Sequence, residues 1–196
     1  MTAALRPIIF ARYPEAGRCK TRMIAALGAE GAADLQARLI RRALARLASL
    51  SPILSVTGGQ SDAAWRQRFG GGLTLRREEG TDLGAHMLSA LTPGPALVVG
   101  SDVPDMDAAL VSRAAAMLDQ APVVLGPAVD GGFWLVAMRR PDARLFADVK
   151  WGSSTVLAQV LANAAAANLR VALAKELADC DRPEDLARWP DLLRNA

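Results

Sequence analysis

The chain contains few of the residues on which several enzyme classes depend. Its 196 residues include two cysteines, Cys19 and Cys180, and a single histidine, His86. Two thiols far apart in sequence do not make a disulfide framework, which favours a reducing compartment, the cytoplasm. One histidine excludes histidine-rich zinc sites. Because no G-x-S-x-G motif is present either, the sequence argues against a serine–histidine triad.

Long apolar runs are missing, and aromatic residues are scarce. No apolar stretch approaches the roughly 18 residues that a membrane span needs, and the first residues lack a secretory core with a small-residue cleavage site. Aromatic residues make up 5% of the chain, and no stripe of basic and aromatic side chains indicates a nucleic-acid partner. The remainder, 52% hydrophobic and 22% charged, is typical of a globular protein, and the length predicts one domain over residues 1–196.

Positive charge is concentrated in the first quarter of the chain. Residues 1–50 contain nine Lys and Arg against three Asp and Glu, whereas residues 51–196 contain fourteen against seventeen. This asymmetry fits a site in which basic side chains bind a small anionic ligand and carboxylates hold a cation.

Short apolar runs alternate with longer amphipathic stretches. The pattern predicts strands at 7–11, 52–57, 73–76, 96–100, 123–126 and 133–137, and a further short strand at 171–173. It predicts helices at 29–50, 62–69, 83–91, 107–119, 154–168 and 183–193. Asp107 and Ser153 or Ser154 are expected N-caps, and Pro183 suits a first helical turn. This alternation predicts an α/β fold, a mostly parallel sheet with helices on both faces and ligands at the carboxyl ends of its strands.

The loop after the first strand carries four cations within eleven residues, from Arg12 to Arg22. Backbone N–H groups near a helix start, together with side chains such as Lys20, suit phosphate oxygens. A Walker A loop is excluded because Cys19 and Pro14 stand where it needs glycine, and no G-x-G-x-x-G motif is present. The loop therefore predicts phosphate binding, with a solvated basic loop as the alternative.

An aspartate follows the fourth predicted strand. Apolar residues lead to Ser101 and Asp102, and Pro104 prevents the strand from continuing. This leaves a carboxylate at the edge of the sheet, where its oxygens suit Mg²⁺ or Mn²⁺, which can also bridge substrate phosphates. A helix cap or a turn is the alternative role for Asp102.

Two further carboxylate motifs allow a structural and a functional interpretation. Asp130-Gly131-Gly132 lies between apolar runs and favours a turn, but the glycines would also let a ligand approach the backbone with Asp130 pointing at it. Asp179 and Asp181, two residues apart on an extended segment, project to the same side and could contribute to a cation site. Because Asp181 is expected to cap the following helix, Asp179 is the freer ligand.

Two weaker signals remain. Residues 81–87 could place Asp82 or His86 in a cleft, although a lone histidine on a helix is more often a packed or surface residue. Trp151 and Ser153 could line a substrate pocket; alternatively, Trp151 belongs to the core and Ser153 or Ser154 caps a helix.

The order of these motifs resembles that of one bacterial family. The motifs are P-x-x-G-x-x-K-T-R, D-L-G, G-S-D-x-P, G-P-x-x-D-G-G, W-x-x-S/T and D-x-D-x-P-E-D-L, and they cover about residues 8–186. The family consists of GT-A-fold proteins described as nucleotide-diphospho-sugar transferase-like or selenodomain-associated transferases. More distantly, the K-T-R loop and S-D-x-P are similar to those of 2-phospho-lactate guanylyltransferase and the molybdenum-cofactor nucleotidyltransferases. The family's usual glutamine before D-L-G is replaced by Glu78 and Glu79, and its usual arginine before methionine by His86.

The resemblance implies a Rossmann-like GT-A domain, a three-layer α/β/α fold with a mostly parallel mixed sheet. It implies a nucleoside triphosphate or nucleoside-diphosphate sugar over the first loop, a divalent cation on Asp102, and a small-molecule acceptor. The residues assigned on this basis are Asp102 and Asp130 for catalysis; Arg12, Gly17, Lys20, Arg22, Asp82 and Ser101 for the nucleotide; Gly131, Gly132, Trp151 and Ser153 for the substrate pocket; and Asp102 with Asp179 for the metal.

Three activities stay open at this point. Glycosyl transfer from a nucleoside-diphosphate sugar follows the family resemblance. Nucleotidyl transfer from a nucleoside triphosphate to a small phosphorylated acceptor is favoured by the cationic loop and by Pro104, which stands where a D-x-D motif would have its second aspartate. A nucleotide-binding module without turnover is the third, because a fold alone does not establish catalysis.

Overall fold

The computed structural model describes residues 5–193, in which seven strands form one sheet. The strands are β1 (Pro7–Arg12), β2 (Ile53–Thr57), β3 (Thr74–Arg77), β4 (Ala96–Gly100), β5 (Val123–Pro127), β6 (Phe133–Met138) and β7 (Val171–Leu173). Their order across the sheet is β3-β2-β1-β4-β6-β5-β7. Strand β6 is antiparallel to β4 and β5, and the other pairs are parallel. The predicted mostly parallel mixed sheet is confirmed.

Five α-helices connect the strands: α1 (Ile24–Arg46), α2 (Asp62–Phe69), α3 (Leu83–Leu91), α4 (Ala108–Ala116) and α5 (Val156–Ala166). Side-chain oxygens of Ser61, Asp82 and Asp107 accept from backbone N–H groups at the starts of α2, α3 and α4. The expected cap at Ser153 or Ser154 is wrong. Thr155 holds the N-cap position of α5 without a side-chain cap bond, because the hydroxyl of Ser153 donates to the carbonyl of Lys150 instead.

The predicted helix at 183–193 is also wrong. The segment forms two 3-10 turns, Pro183–Arg188 and Pro190–Leu193. Trp189 separates them, and a residue that precedes proline is disfavoured in helical geometry, so one continuous helix cannot pass this point.

The sheet is covered on both faces, as the run of apolar residues in each central strand requires. Neighbouring residues point to opposite faces, so that Val99 packs with Ile40 of α1, whereas Val98 packs with Leu91 of α3 and Val160 of α5. This is the predicted α/β/α layering.

The chain returns to α1 at its end. Residues 179–193, called here the C-terminal strap, pack Leu186 and Trp189 with Met23 and Leu35 in a third buried cluster. The indole Nε1 of Trp189 donates to a carboxylate oxygen of Asp105 at 2.9 Å. The strap therefore crosses the edge of the sheet at which β4 ends. Within residues 5–193, no helix is both long enough and apolar enough to span a bilayer.

Candidate functional site

A cleft of about 520 Å³ opens at the carboxyl ends of the central strands. Arg12, Thr57 and Gly100, the last residues of β1, β2 and β4, line it. Strand β1 pairs with β2 on one side and with β4 on the other, so the chain reverses direction across the sheet at β1. Ligands of doubly wound sheets bind at such a reversal, because the loops on either side of it diverge and leave a crevice.

Lys20 lines this cleft with a side chain that is 1% exposed. Its Nζ donates to the carbonyl oxygen of Cys180 at 2.7 Å and lies 2.9 Å from Oδ2 of Asp102 and 3.4 Å from Oδ1 of Asp181. Burial by itself lowers the pKa of Lys20, but the charges of Asp102 and Asp181 outweigh burial and raise that pKa above its ordinary value. The ammonium is therefore charged and fully hydrogen-bonded.

Asp102 follows β4 and keeps 42% of its side chain exposed to the cleft. Its Oδ1 accepts from the hydroxyl of Ser101 at 3.1 Å, and its backbone carbonyl accepts from the N–H of Cys180 at 2.8 Å. These bonds join the end of β4 to the C-terminal strap. The fold thus brings together Lys20, Ser101 and Asp102, three of the predicted site residues.

Asp181 is the second carboxylate of the site, and its predicted role as a helix cap is wrong. Asp185 provides the cap, with Oδ2 accepting from the N–H groups of Asp181 at 3.1 Å and Arg182 at 2.8 Å. The carboxylate of Asp181 is therefore free to pair with Lys20 and with Arg22.

Asp179 lies near other carboxylates. It was predicted to hold a cation together with Asp102. Burial raises its pKa, and the nearby carboxylates of Asp130, Asp181 and Asp185 raise it further. Among residues 5–193, no group of three or more His, Cys, Asp or Glu side chains is arranged to hold a metal ion. A cation at this edge would therefore need ligand oxygens from outside the protein.

The loop between β1 and α1 adds further positive charge. The exposed side chains of Arg12 and Arg18 line the cleft beside Lys20. Gly17 has φ +77 with open space around its Cα, so its glycine character serves the turn of this loop. The predicted phosphate-binding loop therefore lies at the cleft.

Gln36 lines the cleft, and the sequence analysis missed it. It belongs to α1 and is 4% exposed, yet within residues 5–193 its amide makes no hydrogen bond. The amide atoms are nonetheless accessible from the open cleft, where water or a ligand can bond to them. Its position four residues before Ile40, on the apolar face of the helix, is the signal that could have identified it.

Glu78 and His86 also line the cleft, and they form a pair. Nδ1 of His86 lies 3.0 Å from Oε2 of Glu78, and Nε2 lies 3.1 Å from the carbonyl oxygen of Gly80. The side chain of Glu78 is only 7% exposed, and burial raises its pKa, whereas His86 and Arg12 act in the opposite direction. The two departures from the family pattern therefore contact each other.

The remaining predicted residues do not line the cleft. Asp82 caps α3 through Oδ1, and the ring of Trp151 packs against Phe133 and Phe146. Gly131 has φ +87, and a Cβ there would lie 2.0 Å from the carbonyl oxygen of Ser154. The cleft-lining residues of the described chain likewise do not include Gly132 or Ser153.

Asp130 lies in the turn between β5 and β6, where its Oδ1 accepts from the N–H of Gly132 at 2.8 Å. The turn interpretation of Asp-Gly-Gly is therefore confirmed. The pairing of Val99 with Leu135 places the start of β6 beside the end of β4, so this turn lies at the same edge of the sheet as the cleft.

Neither cysteine forms a disulfide in the structure: both are free and buried. Burial raises the pKa of the Cys180 thiol to about 11. Cys180 thus takes part in the site through its backbone carbonyl and N–H rather than through a thiolate.

The fold recurs in solved structures. A protein from Desulfovibrio desulfuricans G20, provisionally described as a nucleotide-diphospho-sugar transferase, is 25% identical with a TM-score of 0.86, over 97% of this chain and 88% of that one. The inositol-1-phosphate CTP transferase from T. maritima is 14% identical with a TM-score of 0.61, over 98% and 96%. A manganese complex of Rv0371c from Mycobacterium tuberculosis H37Rv is 16% identical with a TM-score of 0.53, over 99% and 100%.

The last two structures are similar to this chain in fold alone. Together with the first, they confirm the expected GT-A-like fold, and the first confirms the expected resemblance to nucleotide-diphospho-sugar transferase-like proteins. No curated protein matches the chain. The model of the family DUF2064, described as uncharacterized protein conserved in bacteria, matches residues 39–153, which is more than half of the sequence. The chain belongs to the DUF2064 family.

Proposed function

We propose that this protein is a metal-dependent transferase that moves a sugar from a nucleoside-diphosphate sugar to a small acceptor. The observation that carries the proposal is the convergence of Lys20, Asp102 and Asp181 in an open cleft where the sheet reverses direction. A buried ammonium beside exposed arginines suits the diphosphate of such a donor, because the leaving group accumulates negative charge as the glycosidic bond breaks.

The nucleotide's phosphates would lie over the loop between β1 and α1. Arg12 and Arg18 have exposed guanidinium groups for bidentate contacts, and Arg22 is within reach through its pair with Asp181. The amide of Gln36 lines the cleft, has no protein partner among the described residues, and can donate to a ligand there. Positioning and charge neutralisation, rather than a covalent intermediate, are the chemistry that these side chains can supply.

The donor set around Lys20 fits a divalent cation. Two carboxylate oxygens and one carbonyl oxygen surround a single positive atom, and oxygen donors are those that Mg²⁺ and Mn²⁺ prefer. Asp102 and Asp181, rather than Asp102 and Asp179, would hold the ion. When bound, such an ion neutralises charge on the leaving phosphate. Asp130 stays a proposed catalytic residue: it is exposed, beside Asp179, at the edge where an acceptor would enter.

Nucleotidyl transfer from a nucleoside triphosphate is the second candidate. Pro104 is buried where a D-x-D motif would have its second carboxylate, and the cationic loop suits three phosphates as well as two. The products separate the candidates: incubation with labelled donors and acceptors releases a nucleoside diphosphate in one case and pyrophosphate in the other. A nucleotide-binding module would bind without releasing either.

A thermal-shift screen of nucleotides and nucleoside-diphosphate sugars, with and without Mg²⁺ or Mn²⁺, tests the proposal first. A ligand at about 100 times its Kd stabilises the protein by about 2.7 kcal/mol, which raises Tm by roughly 5–10 °C for a chain of this size. If no nucleotide moves Tm under any metal condition, the proposed function is wrong.

Asp102→Asn tests the site itself. Asparagine can still accept from Lys20, so we expect a folded protein that is less stable by about 1–3 kcal/mol. The dependence of nucleotide affinity on Mg²⁺, measured by calorimetry, should fall by at least about tenfold. Asp119→Asn, an exposed aspartate near the start of β5, is the matched control and should leave this dependence unchanged. Equal Mg²⁺ dependence in wild type and Asp102→Asn would contradict the assignment.

A further inference from the structure

We propose that the ammonium of Lys20 takes the place of a divalent cation between Asp102 and Asp181 while no nucleotide is bound, so that free Mg²⁺ or Mn²⁺ is excluded until phosphates draw the ammonium away. This inference rests on the proposed function and concerns the order in which that site fills. It predicts that metal and nucleotide bind as a coupled pair.

Oxygen atoms surround the Lys20 ammonium. Nζ of Lys20 has three N–H donors, and three oxygens lie within reach of it: Cys180 O at 2.7 Å, Asp102 Oδ2 at 2.9 Å and Asp181 Oδ1 at 3.4 Å. A cation held by the same carboxylate oxygens would have to displace Nζ or lie beside it.

The charges around Asp102 disfavour a free divalent ion. Asp102 and Asp181 carry two negative charges, and Lys20 with the partly exposed Arg22 carries two positive charges. These four side chains are therefore neutral in sum, so positive charge already balances the two carboxylates that would hold a divalent ion. An ion beside Asp102 would also be repelled by an ammonium that is almost fully shielded from water.

The backbone holds the Lys20 side chain in place. Lys20 has φ 46 and ψ 43, a left-handed conformation immediately before the 3-10 turn Thr21–Met23. Its ammonium donates to the carbonyl oxygen of Cys180 in the C-terminal strap. The N–H of Cys180 in turn donates to the carbonyl oxygen of Asp102. The main chain of Lys20 and its ammonium are thus both held by the fold, and the backbone bond from Cys180 keeps Asp102 near the ammonium.

Bound phosphates would release the ammonium from Asp102. Phosphate oxygens in the cleft offer the ammonium new acceptors and bring the negative charge that a divalent ion requires. Transfer of Lys20 from Asp102 to phosphate frees a carboxylate oxygen that is already 42% exposed to the cleft. Because coupling is reciprocal, metal then tightens nucleotide binding by the same factor by which nucleotide tightens metal binding.

Binding of Mn²⁺ alone tests this inference, followed by the loss of the free-ion signal in electron paramagnetic resonance. Lys20→Met removes the ammonium and keeps an unbranched side chain of similar length. We expect this variant to bind Mn²⁺ without nucleotide at least about tenfold more tightly than wild type. Lys175→Met removes one of the three lysines from an exposed position and should behave like wild type. Lys20→Met/Asp102→Asn should lose the gain.

Lys20→Gln, which is neutral and can hydrogen-bond, repeats the experiment if Lys20→Met does not fold by circular dichroism. Equal Mn²⁺ affinity in wild type and in the folded Lys20 variant overturns the inference. A gain that survives Asp102→Asn also overturns it, because the ion would then bind elsewhere. These results are independent of the nucleotide screen: if nucleotides bind with Mg²⁺ but the Lys20 variant shows no gain, only the inference fails. If no nucleotide binds, the proposed function fails whatever Mn²⁺ does.

Discussion

Gln36 and Lys20, two polar residues of the cleft, differ in their hydrogen bonding. Gln36 has no protein hydrogen-bond partner among the described residues, whereas the Lys20 ammonium lies within reach of three oxygens. An amide in an open cleft bonds to water until a ligand takes the place of that water, so it contributes little to folding and can contribute to binding. Gln36 is thus the residue at which stability and ligand binding should diverge.

Gln36→Met tests this divergence. Methionine has a similar volume, and the Gln36 amide makes no bond within the described chain, so we expect the variant to be about as stable as wild type. Nucleotide affinity should fall by about five- to tenfold, the value of one hydrogen bond. Thermal unfolding and calorimetry on the same samples provide both numbers. Parallel losses of stability and affinity would mean that Gln36 has a packing role only.

Asp179→Asn tests a residue whose environment disfavours its charge. A raised carboxyl pKa means that the folded state binds the proton more tightly than the unfolded state, so wild type loses stability as pH rises from about 4 through the raised value. Asparagine avoids this loss. We therefore expect the stability of Asp179→Asn relative to wild type, measured by urea unfolding, to increase between pH 4 and pH 7.

The same variant distinguishes the two aspartates as metal ligands. Because Asp181 and not Asp179 lies at Lys20, Asp179→Asn should leave the Mg²⁺ dependence of nucleotide binding unchanged. A large loss of that dependence would favour Asp179 as the ligand.

At the scale of elements, the turn between β5 and β6 has its conformation set by close packing. Gly131 combines φ +87 with a backbone that touches the carbonyl of Ser154, so no side chain fits there. The N–H of Leu157 donates to the Gly131 carbonyl at 2.9 Å, which joins the turn to the start of α5. The glycine is thus required by the fold, whatever the ligand.

Gly131→Ala should destabilise the protein by about 3 kcal/mol or more, from left-handed strain together with the clash. Gly17→Ala is the control, because Gly17 has a similar φ of +77 but open space at its Cα. It should cost only about 1–2 kcal/mol. Urea unfolding of both variants checks the difference, and equal losses would show that strain alone explains Gly131.

At the scale of the whole molecule, the C-terminal strap links the stability of the fold to the site. Trp189 fills the cluster between the strap and α1, while Cys180 and Asp181 of the same segment bind Lys20. Loss of the packing at one end should therefore loosen the acceptors at the other.

Trp189→Ala should destabilise the protein by about 3–5 kcal/mol, as expected for a buried aromatic side chain, and should weaken nucleotide binding. Trp189→Phe keeps most of the packing and removes only the bond to Asp105, so about 1 kcal/mol is expected. Chemical denaturation and calorimetry test both effects. Unchanged affinity in a destabilised Trp189→Ala would show that the strap does not position the site.

The fold was predictable because its signals are local. Short apolar runs indicate strands that are buried on both faces, and apolar residues three to four positions apart indicate helices, so β4 and α3 were predicted with their observed bounds. The continuous helix predicted at 183–193 was wrong because it depended on a local bias that Pro190 overrides. Lys20 and Asp102 were identified because each follows a strand end, where a parallel sheet places its ligands.

The amino-acid sequence alone determined the alternation of strands and helices, the side of the sheet that binds a ligand, and the basic loop that faces it. Only the tertiary structure decided which carboxylate meets the lysine. Asp181 lies 161 residues after Lys20, and its choice over Asp179 depends on the cap that Asp185 supplies and on the packing of the strap against α1. The periodicity of apolar residues cannot predict such a contact, because it joins segments that meet only after the chain has folded.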